Sequence, residues 1–87
     1  MRIEFSKRAE SEFAYFEKHK PKLAEKIVEL IADILRDPYR GLGKPEPLKH
    51  EYSGYWSRRI SEEDRLVYCI DGKTLYIIQC RFHYTTH

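Results

Sequence analysis

The sequence is poor in the residues that hold up unusual architectures. It has two cysteines, four prolines, four glycines, one methionine and one tryptophan in 87 residues, and neither sign of charge dominates. Cys69 and Cys80 are too few for the disulfide frameworks of small secreted domains, which usually carry four or more cysteines. Both are therefore expected to be reduced, buried and inert. The sparse glycine and proline exclude collagen-like and linker-like chains, and the sequence has no repeat or low-complexity tract. No stretch approaches the roughly 20 apolar residues needed to span a bilayer. Met1-Arg2-Ile3-Glu4-Phe5 lacks the apolar core of a signal peptide. A cytoplasmic location without membrane association is the default expectation.

What is present fits a single small core over residues 1–87, with no room for a separate cofactor domain. Apolar residues make up 41% and charged residues 34%, too apolar for a disordered segment and too polar for a membrane span. The net charge is +2. Residues 1–35 carry seven basic and seven acidic side chains, and residues 36–87 carry nine and seven, so the excess lies in the second part. An electropositive face is expected there.

Arg2 to Phe5 alternates as a short strand, after which Ser6 can cap a helix running to about His19, with Ala9, Phe13 and Phe16 in one stripe. Pro21 restarts the chain. Leu23, Ile27, Leu30, Ile31, Ile34 and Leu35 follow the helical period until Asp37-Pro38 ends it, giving two antiparallel helices. Tyr39 to Pro47 reads as a loop, stiffened around Glu46 by Pro45 and Pro47. Strands are predicted at about Leu48–Tyr52, Tyr55–Ile60, Arg65–Ile70 and Thr74–Phe82, with Asp71-Gly72 as a hairpin signal. The expected fold class is α+β: an N-terminal strand, a helix pair packed on one sheet face, then an antiparallel meander.

Lys44, Glu46, Lys49, His50, Arg58, Arg59, Arg65, Arg81, His83 and Tyr84 form an unusual set for so small a chain. Together they read as equipment for cutting RNA without a metal. A base removes the proton of a 2′-hydroxyl, an acid protonates the leaving 5′-oxygen, and cations stabilise the phosphorane between them. A carboxylate, an imidazole and a guanidinium suffice, and DNA, lacking the 2′-hydroxyl, is inert to them. Each piece also has a plainer reading. A loop glutamate is most often a solvated charge, and an Arg-Arg pair on a strand is more often surface than clamp. Only one of Arg58 and Arg59 can face a given ligand, because strand neighbours point to opposite sides. The aromatics are mostly packing residues. Cys80, His83 and His87 have only a weak zinc-like spacing, so no metal or other cofactor is expected.

Register decides whether the kit assembles. A two-residue turn at Asp71-Gly72 pairs Ile70 with Lys73 and Arg65 with Ile78, placing Arg65 and His83 on opposite faces. A three-residue turn, Asp71 to Lys73, pairs Arg65 with Gln79 and puts Arg65, Arg81 and His83 on one face. Convergence of Arg65 and His83 therefore requires the longer turn or a bulge.

The stretches Gly43-Lys44-Pro45-Glu46-Pro47-Leu48-Lys49-His50, Gly54-Tyr55-Trp56-Ser57-Arg58-Arg59-Ile60, Arg65-Leu66-Val67-Tyr68 and His83-Tyr84 closely resemble the Txe/YoeB toxins of the RelE superfamily, over almost the whole chain. The resemblance implies a RelE-like fold and a type II toxin that cleaves mRNA in the ribosomal A site. It implies Glu46 as general base, Arg65 as transition-state binder, His83 as general acid and Tyr84 as a residue completing the site. Lys44, Lys49, Arg59 and Arg81 are the expected contacts to RNA and ribosome. The implied partners are a YefM-like antitoxin, the bacterial ribosome with its mRNA, operator DNA through the antitoxin, and a second copy in a homodimer. Asp64 departs from a frequent His, Tyr52 from the usual Leu, and Thr85-Thr86-His87 extends beyond the His-Tyr terminus common in the family. Two non-enzymatic alternatives are a ParE-like inhibitor and an antitoxin-bound co-repressor that has lost catalysis.

Overall fold

The computed structural model describes residues 1–83. Strand β1, Arg2–Phe5, leads into Ser6, whose hydroxyl accepts the Ala9 amide at 3.0 Å and donates to the Ile78 carbonyl at 2.6 Å. One side chain thus caps helix α1, Lys7–His19, and ties its start to the far end of the chain. The Lys20 amide closes α1 on the Phe16 carbonyl, and Pro21 opens α2, Pro21–Arg36, where its missing N–H costs nothing. Ala9 and Phe16 from α1 and Ala24, Ile27, Leu30 and Ile34 from α2 are buried against Leu66, Tyr68, Leu75 and Ile77 of the sheet. Leu35, counted in the predicted apolar stripe, is 39% exposed instead, because it falls at the stripe's edge in the last turn.

The remaining strands are β2 (Glu46–Pro47), β3 (Trp56–Arg59), β4 (Arg65–Asp71) and β5 (Thr74–Gln79). Strands β2 to β5 form the expected antiparallel meander, and β1 pairs in parallel with β5, giving the order β1-β5-β4-β3-β2. The helices carry the chain from β1 to β2 at the opposite edge, and the meander returns it to lie beside β1. The strand predicted at Leu48–Tyr52 is not formed. Pairing stops after the Leu48 amide reaches the Tyr55 carbonyl, and His50–Tyr52 winds into a 3-10 turn entered by His50 at φ +58°. The predicted loop in turn yields β2, since Glu46 pairs with Ser57 and Pro47 with Trp56 at the sheet's end, where a proline's missing donor is tolerated.

At the last hairpin Asp71 pairs with Thr74, so the two turn residues are Gly72 and Lys73, one position later than the Asp71-Gly72 reading. Tyr68 pairs with Ile77 but Val67 with Gln79, leaving Ile78 as an extra residue on β5. The ladder thus contains the bulge required for Arg65 and His83 to meet. Beyond it β5 ends at Gln79, short of the predicted Phe82.

The loop between α2 and β2 is ordered by Arg58, which is fully buried on the helix side of the sheet. Its guanidinium donates to Asp33 Oδ2 at 2.6 Å and to the carbonyls of Asp37, Arg40 and Leu42 at 2.7, 3.0 and 3.1 Å, while its Nε meets the Tyr68 hydroxyl at 3.2 Å. The Leu42 amide and the Arg58 guanidinium both bond the Asp33 carboxylate and hold it below the usual carboxylate range. Burial raises the Tyr68 phenol, an effect that Arg58 partly opposes. Gly41 and Gly43 are the glycines this arrangement needs. Gly41 has φ +124° and a Cβ there would overlap the Asp33 carboxylate. Gly43 has φ +77°, and a Cβ would come within 3.0 Å of the Arg59 carbonyl.

Candidate active site

On the sheet face away from the helices, side chains meet by register. Glu46 pairs with Ser57, Ser57 with Val67 and Val67 with Gln79, while Arg59 pairs with Arg65. Alternation places Ser57 and Arg59 on one face of β3 and Arg58 on the other. Two guanidinium groups directly opposite each other repel. The pairing brings two positive charges to this face.

A cavity of about 170 Å³ lies here, lined by Lys44, Glu46, Ser57, Arg59, Arg65 and His83. Three cations against one carboxylate make it electropositive, with an imidazole at its rim. Two larger hollows, of about 510 and 400 Å³, lie along β1, α1 and α2, and neither is lined by a cation or an imidazole.

Arg65 is half-buried, and its guanidinium donates to the carbonyls of Ser61 (2.7 Å), Asp64 (3.1 Å) and Glu62 (3.2 Å). The turn before β4 therefore fixes the head group while leaving it in the cavity wall. The Glu62 carbonyl also lies 2.9 Å from His83 Nε2. A carbonyl only accepts, so Nε2 carries the hydrogen in this contact. Arg65 and His83 thus share an acceptor, and the two groups converge. Lys44 (φ +52°) and Phe82 (φ +65°), the residue before His83, both occupy the left-handed region. Strained backbone at the edges of a site is a recurrent mark of function.

Of the residues expected from sequence, Glu46, Arg65, His83, Lys44 and Arg59 line this cavity. Lys49 does not; it is exposed at the entrance to the 3-10 turn. Arg81 is also elsewhere, its guanidinium carbon 3.6 Å from the Tyr15 ring centroid and 4.5 Å from that of Phe82. Tyr84 lies outside the described residues, as does the Thr85-Thr86-His87 tail. Ser57 is not among the residues expected from sequence. Its position two residues before Arg59 on a strand is the available signal.

Residues 5–84 match the family of YoeB-like toxins of bacterial type II toxin–antitoxin systems. Toxin YoeB of Synechocystis is 51% identical over 84 residues, spanning 97% of this chain and 98% of that one. Toxin YoeB of Escherichia coli K12 is 46% identical over 97% of this chain and its own full length. The YoeB/ParE toxin from Agrobacterium tumefaciens superposes with a TM-score of 0.94 at 43% identity, over 97% of this chain and 100% of that one. The structure of a YoeB–YefM complex from Staphylococcus aureus gives 0.89 at 42%, over 97% and 98%.

Proposed function

Since the chain belongs to the YoeB-like toxins of bacterial type II toxin–antitoxin systems, we propose that it acts as a metal-free endoribonuclease on translated mRNA in the ribosomal A site. The observation that carries this reading is the gathering of Glu46, Arg65 and His83 around one small cationic cavity. Glu46 takes the 2′-hydroxyl proton, and the freed oxygen attacks the adjacent phosphorus. Arg65, with Arg59 and Lys44 beside it, stabilises the negative phosphorane. Breaking the bond to the 5′-oxygen requires a proton, which His83 donates. The products are a 2′,3′-cyclic phosphate, opened by water to a 3′-phosphate, and a 5′-hydroxyl. Tyr84, next to His83, completes the site and orients substrate. Lys49, exposed beside the loop, contacts rRNA phosphates, which also explains how so small a cavity suffices. Arg81, stacked on Tyr15 outside the cavity, is proposed as a further contact to the ribosome.

The partner proposed is a YefM-like antitoxin, as in the Staphylococcus aureus YoeB–YefM complexes, and a homodimer is proposed from the YoeB dimer of Staphylococcus aureus. The antitoxin also carries the complex to operator DNA.

Expressing the protein from a tight promoter and mapping 5′ ends on a reporter mRNA tests the reading. Cuts within translated codons should be lost with Glu46→Gln and His83→Gln, each lowering the rate by about 10²–10⁴-fold. Growth arrest without cuts, unchanged by either substitution, would instead support a ParE-like inhibitor.

A further inference from the structure

His83 is carried by a segment that is no longer part of the sheet. Once β5 ends at Gln79, the backbone of residues 80–83 must find other partners, because buried amides left unpaired are costly. Side chains supply them. The Cys80 amide donates to Glu12 Oε1 at 2.8 Å, and Glu12 is itself held by Arg8 at 2.8 Å. The Phe82 amide donates to Asp64 Oδ1 at 2.7 Å, and Asp64 Oδ2 accepts from the Ser61 hydroxyl at 2.9 Å. In the other direction the Phe82 carbonyl accepts the Arg65 amide at 3.1 Å, and Gln79 Nε2 reaches the Arg81 carbonyl at 3.2 Å.

Asp64 is 6% exposed and does not line the cavity, yet it bonds both the backbone next to His83 and the turn whose Glu62 carbonyl receives His83 Nε2. Its contact fixes Phe82 in the left-handed conformation that turns the chain toward the cavity. We propose that Asp64 is the positioning residue for His83: its carboxylate clamps the Phe82 amide and so sets the imidazole over the cavity. The acceptor oxygen is what the role requires, and the charge is dispensable. Asp64→Asn keeps an oxygen for Phe82 and offers an amide to Ser61 Oγ, whereas Asp64→Ala does neither.

The structural part of this inference stands apart from the nuclease reading; only its kinetic part rests on that reading. Wild type, Asp64→Ala and Asp64→Asn are compared as full chains. Amide exchange of Phe82 is measured against core amides of Leu66, Tyr68 and Ile77, and NOEs are measured from the His83 ring to Glu62. In the alanine protein, Phe82 exchange should rise at least about tenfold with the core still protected. The His83–Glu62 NOEs should disappear, and single-turnover RNA cleavage should fall by up to about 10²-fold from misplacement of the acid. The asparagine protein should keep the NOEs and cut within about threefold of wild type. NOEs retained in the alanine protein, or lost in a folded asparagine protein, would overturn the proposal. If the alanine protein loses core protection altogether, the asparagine protein decides by the same criterion. If wild type cuts no RNA, the nuclease reading fails while exchange and NOEs still decide the clamp.

Discussion

Arg58 and Arg59 are adjacent, carry the same head group and face opposite sides of β3, so truncating each should have opposite consequences. Arg58→Met removes donors from three backbone carbonyls, from the Asp33 carboxylate and from contact with the Tyr68 hydroxyl. Breaking a buried ion pair by removing one partner costs about 3–5 kcal/mol, mostly because the remaining groups lose their partners. The carbonyls of Asp37, Arg40 and Leu42 lie in a loop that can open to water, so their loss does not add in full. A domain of this length has a total stability of roughly 4–13 kcal/mol. Arg58→Met should therefore lose about a quarter or more of it and melt about 12–40 °C lower. Arg59→Met, on an exposed side chain, should stay within about 0.5 kcal/mol of wild type. Urea unfolding followed by circular dichroism measures both, with m expected to hold constant. Arg58→Met within about 1 kcal/mol of wild type, or Arg59→Met equally destabilised, would refute the assignment of anchor and ligand.

Gly43→Ala should cost about 1–2 kcal/mol, since alanine resists φ +77° and its Cβ would press on the Arg59 carbonyl and Leu30, both 3.0 Å away; thermal melting reads it directly. Asp33 has its folded-state pKa lowered, so its stabilisation is full above the unfolded carboxylate value of about 3.9 and is lost as pH falls through the lower folded value. Urea titrations from pH 6 to pH 3 should show wild type and Asp33→Asn converging in acid, whereas parallel curves would contradict the linkage. Burial pushes the Cys80 thiol up to about 12, with the Glu12 and Asp64 charges adding to it, so iodoacetamide at pH 8 should leave it unmodified until urea is added. Mass spectrometry of the peptide containing Cys80 checks this.

The helices were legible because their signals are local. Pro21 and Asp37-Pro38 mark the bounds of α2, and its apolar period needs no knowledge of the partner surface. The second arginine of the pair could be recognised as facing the other way, but which of the two faces water depends on where the helices lie, and alternation alone is symmetric. The bulge at Ile78 carries no glycine or other marker, so the register joining Arg65 to His83 could be stated only as a condition. Leu48–Tyr52 misled because a short stretch with apolar residues at either end resembles a strand, whereas His50 adopts a left-handed conformation that ends pairing. Glu46, Lys44 and Arg59 could be named as candidates from residue type and resemblance; their common cavity is a property of cross-strand register. Asp64 stood out only as a departure from a frequent histidine. Its bond to the Phe82 amide spans 18 positions and leaves no trace in spacing.

The joining of β1 to β5, with the Ser6 hydroxyl reaching Ile78 across 72 positions, also bears on how the molecule is made. Synthesis delivers β1 and both helices first, and local helix formation is fast, while closure over such a separation is slow. The first strand must wait for its partner. Until β5 has emerged there is no ladder for the bulge, no seat for the arm bearing His83, and nothing for Asp64 to hold. A growing chain whose β5 has not yet emerged thus has helices but no assembled cavity, and the residues that line it come together only with β5.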